Sequence, residues 1–396
     1  MTAVAETSLV GRVRRRLVAD RRDPSAGNVA AAVRAEHGAA LTDQGVLEIA
    51  GRLRSHIAGA GPLDDLLADP EVTDVLVNGA GEVWIDRGTG LTRVEAAADL
   101  ADEEPLRRFA QRLAAACGRR LDDSNPYVDG RLPDGTRLHA VLPPVSGSGV
   151  CLSLRTFRPV AFTLQDLRER RSLTVESAGL LRAIVRARLA FLVTGGTGTG
   201  KTTLLNSLLG EVSPAERVLV VEDAAELSPA HPHVLSLRGR PANAEGAGEI
   251  TLRDLVRQAL RMRPDRIVVG ECRGPEVIDL LAAFNTGHDG GAGTLHANAA
   301  GDAPARLEAL AALGGLGRDA VHAQLLPAVR CLIHMVRRDG VRVVDSISIL
   351  DRDRATGRAV VVPAWRLGGG PTSGWSALRA LVADRAGIDA VPAVRS

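Results

Sequence analysis

The spacing of apolar residues along the chain changes from one region to the next, and each spacing predicts a different kind of element. In residues 1–60 apolar positions recur at helical intervals, in Leu9, Val10, Val13 and Leu17 and again in Val46, Leu47, Ile49, Leu53 and Ile57. That predicts a helical N-terminal extension, broken at Asp23-Pro24-Ser25. From Gly61-Pro62-Leu63 onward the spacing is shorter. Val72–Val77, Glu82–Asp86 and Leu91–Val94 alternate as short strands, with turns at Asn78-Gly79 and Arg87-Gly88. Leu106–Ala116 reads as an amphipathic helix, and Arg131–Val141 and Val150–Phe157 return to strand. Residues 61–157 therefore form a small α+β domain. Residues 158–171 read as a linker.

From Ser172 strands and helices alternate. The runs Leu189–Val193, Val218–Val221, Ile267–Val269 and Leu332–Val336 are apolar throughout, as strands of a parallel sheet covered on both faces must be. Helices are expected between them at Thr202–Leu209, Leu252–Met262 and Glu276–Phe284. Residues 172–350 thus make an α/β domain with a mostly parallel sheet. Residues 351–396 are Gly/Pro-rich around Leu367–Gly374 and read as a loose tail with one short helix near Ala377–Arg385. No internal repeat is present.

Composition then excludes several classes of function. A net charge of +2 gives no global basic field, and with aromatics at 2% there are few rings on which bases could stack, so nucleic acid is not an expected partner. Six arginines lie between Arg12 and Arg22, which fits a solvated helix face, with contact to anionic lipid or a partner as the sharper alternative. The four cysteines are dispersed and form no C-x-x-C pair, so neither a zinc site of ordinary spacing nor a disulfide framework is expected. No apolar run approaches the roughly 18–20 residues of a membrane span. The N-terminus carries Glu6 and then arginines in place of an apolar signal core. The expected location is cytoplasmic, with any membrane association peripheral.

One lysine, Lys201, occurs among 49 basic residues. It falls within Gly195-Gly196-Thr197-Gly198-Thr199-Gly200-Lys201-Thr202-Thr203, which satisfies G-x-x-x-x-G-K-[ST] between a predicted strand and a predicted helix. Glycines let backbone N–H groups turn onto phosphate oxygens, and the helix N-terminus adds partial positive charge. Lys201 is expected to reach the β- and γ-phosphates of ATP, and the Thr202 hydroxyl to bind Mg²⁺. Glu222 and Glu271 each follow an apolar strand. In a parallel sheet those strand ends share an edge with the phosphate loop. One carboxylate can hold Mg²⁺, a role open to Glu271, and one can orient the attacking water. Glu226 and Asp223 compete for the second role. His288 and His296 lie in polar, glycine-rich segments on either side of a further expected strand and are candidates to sense phosphate.

These segments also resemble a known family. Thr194–Thr203, Val221–Leu227, Arg261–Glu271 and Asn285–Asn298 are similar, in that order, to the Walker A, Asp, Walker B and His boxes of the type II/type IV secretion ATPase superfamily. Gly270-Glu271 stands where most P-loop ATPases carry Asp-Glu, as in that superfamily. Gly61-Pro62-Leu63 and Val72–Gly79 resemble the N-terminal domain of its CpaF/TadA branch, which serves Tad (Flp) pili. The resemblance implies a RecA-like C-terminal domain, a homohexameric ring, and ATP between the two domains, with N-terminal arginines reaching the phosphates. By position these are Arg131, Arg137 and Arg155. It implies a motor at the inner face of the plasma membrane, working on inner-membrane platform proteins. If hydrolysis is coupled to rigid-body motion between the domains, residues 158–171 are the expected hinge. The tetracysteine insert of the pilus-extension branch is missing, and Gly290-Gly291-Ala292-Gly293 is richer in glycine than the usual His box. The rival classes are a nucleic-acid translocase and a nucleotide-binding regulator without turnover.

Overall fold

A computed structural model describes residues 12, 13, 16, 17, 19, 20, 26–37, 59–88, 90–156, 162–240, 242 and 247–386. Much of the expected helical extension, including Val46 to Ile57, lies outside those residues. Within it, α1 (Ala26–His37) buries Val29 and Val33. The chain divides into two compact units at residue 158.

In the first unit, after the short α2 (Asp64–Ala68), come β1 (Asp74–Asn78), β2 (Val83–Asp86), β3 (Leu91–Val94), α3 (Glu103–Ala116), β4 (Tyr127–Arg131), β5 (Arg137–Val141) and β6 (Cys151–Arg155). The strands form one antiparallel sheet in the order β3-β2-β1-β6-β5-β4. Alternate residues Val75, Val77, Ile85, Leu138, Ala140, Leu152 and Leu154 form a core with Leu106, Phe109, Ala110 and Leu113 of α3. This is the one-sided burial that an alternating pattern dictates. The stretch Arg131–Val141, expected as one strand, is the β4–β5 hairpin. Its turn is Pro133-Asp134-Gly135, with the Asp134 carboxylate accepting from the Thr136 amide at 2.9 Å.

The second unit runs α4 (Leu164–Glu169), α5 (Val175–Arg186), β7 (Phe191–Gly195), α6 (Lys201–Leu209), β8 (Val218–Glu222), β9 (Val234–Arg238), α7 (Leu252–Ala259), β10 (Arg266–Cys272), α8 (Glu276–Asn285) and β11 (Ala292–His296). It continues with α9 (Ala303–Ala312), α10 (Arg318–Ala328), β12 (Cys331–Arg338), β13 (Val341–Arg352), β14 (Ala359–Arg366), β15 (Gly370–Pro371) and α11 (Trp375–Ala386). The sheet order is β15-β14-β13-β12-β7-β11-β10-β8-β9. Strands β12 to β9 in that order are parallel, and β13, β14 and β15 add antiparallel at one edge.

The uninterrupted apolar runs have a direct cause. Phe191, Val193, Val218, Val220, Val268 and Ile333 join one core layer with α5, α6 and α11. Leu192, Leu219, Val221, Ile267, Val269 and Leu332 join the other with α7, α8, α9 and α10. Successive side chains feed opposite layers, so no position in these strands is free to be polar.

Two boundaries differ from the sequence expectation. The linker 158–171 contains α4, whose Leu164 and Leu167 are buried in the second unit's core. Its helix start is closed by a reciprocal cap: Thr163 Oγ1 accepts from the Asp166 amide at 3.1 Å, and Asp166 accepts from the Thr163 amide at 2.7 Å. Residues 351–386, the described part of the tail, are not loose. β13 carries on to Arg352, β14 pairs with it, and Leu378 and Val382 of α11 are fully buried. Among the described residues only the Gly/Pro-rich turn between β14 and α11 matches the composition that suggested an appendage.

Candidate active site

The parallel strands end at one edge, and the candidate chemistry gathers there. Gly195 closes β7 in register with His296 of β11 on one side and Met335 of β12 on the other. Its φ is +152°, and a Cβ at this position would lie 2.5 Å from the Met335 carbonyl oxygen and 2.7 Å from Thr199 Oγ1. Only glycine fits so close an approach. Gly196 is half-buried, Thr197 and Gly198 are exposed, and Thr199 folds under the loop, donating to the Gly196 carbonyl at 2.9 Å. Gly200 then turns left-handed to start α6, placing Lys201, Thr202 and Thr203 in its first turn. Lys201 is 7% exposed, and its ammonium donates to the carbonyls of Gly195 at 3.1 Å and Gly196 at 2.8 Å. Burial lowers its pKa, and the Glu271 charge opposes that shift.

Glu271 reaches the same place by a local irregularity. Between Val269 and Cys272 strand β10 carries one residue more than β11, a bulge that re-aims side chains at a sheet edge. Glu271 pairs with Arg273 through one carboxylate oxygen. His296 Nε2 stands 2.6 Å from the other and 3.5 Å from the Lys201 ammonium. The His296 contact lies outside hydrogen-bond geometry, so Glu271 Oε1 is buried without a hydrogen-bond partner. The pKa of His296 is lowered, first by burial and then by Lys201, which favours the neutral ring at pH 7. Lysine, a carboxylate and a neutral imidazole therefore meet at the C-terminal ends of adjacent strands. Such a group can bind a phosphate anion and orient a water beside it.

The other acids separate into distinct roles. Glu222 is 3% exposed, and its Oε1 accepts from the amides of Glu226 at 3.0 Å and Leu227 at 2.9 Å. Its side chain lies across Gly270, where a Cβ would come within 2.8 Å of Glu222 Cγ. This contact explains why glycine precedes Glu271. Glu222 thus braces residues 223–227 through Oε1, while its Oε2 is, like Glu271 Oε1, buried without a hydrogen-bond partner. What it braces is Glu226, an exposed acid whose Oε2 accepts from Thr202 Oγ1 at 3.4 Å. Thr202 and Glu226 present hard oxygen ligands of the kind Mg²⁺ takes beside phosphates, an alternative to the Thr202–Glu271 pair expected from sequence. Bound there, Mg²⁺ would neutralise charge on the phosphates.

Burial pushes the Glu222 carboxyl up to about 7. The folded protein therefore holds a proton that the unfolded chain releases near pH 4.5. Stability should fall as pH rises from about 4.5 to 7, by up to roughly 3 kcal/mol. Glu222→Gln keeps the oxygen that accepts from both amides and removes the titration. In urea unfolding at pH 5 and pH 8, the glutamine variant should lose this dependence and be the more stable protein at pH 8.

Two groups of expected residues lie elsewhere. His288 is a correction. It follows α8, with Nδ1 3.2 Å from the Ala283 carbonyl, and precedes the start of β11. It is therefore at the sheet edge opposite the one where His296 ends the same strand. Arg131, Arg137 and Arg155 belong to the first unit, where Arg131 pairs in register with Arg137 and Arg137 with Arg155. Directly opposed residues share a face, so the three form one arginine row. Asp129 holds Arg137 at 2.9 Å and Asp74 holds Arg155 at 2.8 Å. Arg273 was missed in the sequence, although it stands two residues beyond Glu271 in the same segment.

A family model described as type II/IV secretion system protein matches residues 56–355. The chain belongs to that family. A Mycobacterium tuberculosis (strain H37Rv) protein whose name assigns it to conjugal transfer is 54% identical over 353 residues, 87% of this chain and 99% of that protein. The type IV secretion system protein PtlH of Bordetella pertussis is 33% identical over 333 residues, 77% of this chain and 93% of PtlH. The crystal structure of the pilus retraction motor PilT with bound ADP aligns at a TM-score of 0.51 and 21% identity, over 80% of this chain and 85% of that one, a likeness of fold.

Proposed function

We propose that the chain hydrolyses ATP with Mg²⁺ and uses the energy to drive a secretion-type machine at a membrane. The observation that carries this reading is the convergence of Lys201, Glu271 and His296 at one sheet edge. In this reading the phosphate loop and Lys201 hold the phosphates, Thr202 and Glu226 hold Mg²⁺, and Glu271 Oε1 takes the attacking water's proton. The arginine row of the first unit serves the transferring phosphoryl group, because a guanidinium stabilises the charge that develops there. Family membership supports a motor that works with membrane platform proteins. No described helix is long and apolar enough to cross a membrane.

Within the family we favour the Tad/Flp pilus branch, on Gly61-Pro62-Leu63 and the Val72–Gly79 strand and turn. The relative named for conjugal transfer favours a conjugation-class machine as the second reading. Deleting the gene should abolish surface pili in the first case and leave them intact in the second. We also propose a homohexamer. Light scattering with Mg²⁺ and a slowly hydrolysed ATP analogue should give six times the 41.5 kDa chain mass. A monomer at working concentration in that experiment would count against the ring.

A further inference from the structure

The β12–β13 hairpin carries none of the segments that bind phosphate in the reading above, yet it touches the phosphate loop. Arg342, exposed near the start of β13, donates from Nε to the Gly198 carbonyl at 2.9 Å. The same side chain borders the helix start, since a Cβ on Gly200 would lie 3.3 Å from Arg342 Cδ and 3.5 Å from Met335 Cε. The hairpin is anchored behind this contact. His334 of β12 is buried and its Nδ1 shares a 2.9 Å hydrogen bond with Thr194 Oγ1. Arg337 pairs in register with Arg342, and Arg338 forms an ion pair with Asp345.

The loop carbonyls divide between two holders. Those of Gly195 and Gly196 accept from the Lys201 ammonium, whereas that of Gly198 accepts from Arg342. A trans peptide holds its C=O and the following N–H on opposite sides. Fixing the Gly198 carbonyl toward the hairpin therefore turns the Thr199 amide away from it. Gly198 has a φ of +71° and no Cβ, so its own sterics do little to hold that peptide in place. A guanidinium–carbonyl bond is charge-assisted and can hold it.

We propose that Arg342 is a positioning residue for the phosphate loop, its hydrogen bond to the Gly198 carbonyl presetting the Thr199 amide for a nucleotide's phosphates. This rests on the reading of the loop as a nucleotide site. The effect belongs to binding, because a preset amide removes an ordering cost from association.

Two substitutions separate the hydrogen bond from the charge. Arg342→Met keeps the stem and removes the donor. Arg342→Gln removes the charge but keeps an N–H donor the same number of bonds from Cα. Steady-state turnover of Mg–ATP and equilibrium binding of a fluorescent ATP analogue are measured on the full chain, with wild type and Lys201→Ala alongside. Arg342→Met should raise KM about tenfold with kcat within about twofold, and Arg342→Gln should restore KM to near wild type. An unchanged KM in Arg342→Met overturns the proposal. So does a glutamine variant as weak as methionine, which would mean that the charge acts directly. A wild-type chain that neither binds nor turns over nucleotide removes the functional reading and this proposal together. An active wild type with a normal Arg342→Met removes the proposal alone.

Discussion

Replacing Lys201 with alanine should lower ATP turnover by about three orders of magnitude while leaving the second unit folded. The ammonium is the cation that the loop itself encloses, bound to two loop carbonyls and standing beside His296. Its burial makes it a preorganised charge, which acts more strongly than one in water because little solvent has to reorganise. The fold does not depend on it to the same degree. Alanine is a good helix former at the first position of α6, and the layer beneath is held by Leu204, Leu205 and Leu208. Turnover measured by phosphate release, with a thermal melt on the same sample, separates the two effects. A large loss of melting temperature in Lys201→Ala would make the lysine chiefly structural.

Glu271→Gln should slow hydrolysis by about 10²- to 10⁴-fold and leave nucleotide affinity within a few-fold. The glutamine side chain is nearly the same size and retains an oxygen, but it cannot accept a proton from water. The buried Oε1 without a hydrogen-bond partner is the atom that changes. Glu222→Gln is the internal contrast, since Glu222 commits an oxygen to two amides under the loop. Turnover within a few-fold of wild type is expected for that variant. Equal losses in the two variants would mean that the carboxylates act as one unit and that the division between base and brace is mistaken.

The phosphate loop was legible because it needs a contiguous set of residue types between a strand and a helix. The buried strands were legible because both of their faces are covered. Glu222 shows where contiguity stops helping. The alternation that sends Val218 and Val220 into one layer puts Glu222 on that same side, but whether the carboxylate opens to the edge or folds under Gly270 depends on packing from another strand. Glu271 likewise depends on a bulge that only the pairing with β11 defines. His288 and His296 looked equivalent as polar bookends of one strand. Topology separates them, because a parallel strand has one end at the site and the other away from it.

The C-terminal strands were missed for a different reason. Ala359–Arg366 is rich in valine, but Pro363 interrupts it and glycines follow. In the structure Pro363 stands at a register shift where β14 carries the extra residue Ala364 against β13, and a bulge is where a sheet tolerates proline. Arg342 was hidden by abundance, since one arginine among 48 has no local signature. Its contact with Gly198 crosses 144 positions of sequence.

The most direct test of the central claim is the rate at which purified full-length chain releases phosphate from ATP with Mg²⁺, compared with Lys201→Ala under the same conditions. Magnesium-dependent release by the wild type, falling to background in the variant, is the expected result. No release by a folded wild-type chain, or equal release by both proteins, would contradict the assignment of this sheet edge as an ATP-hydrolysing site.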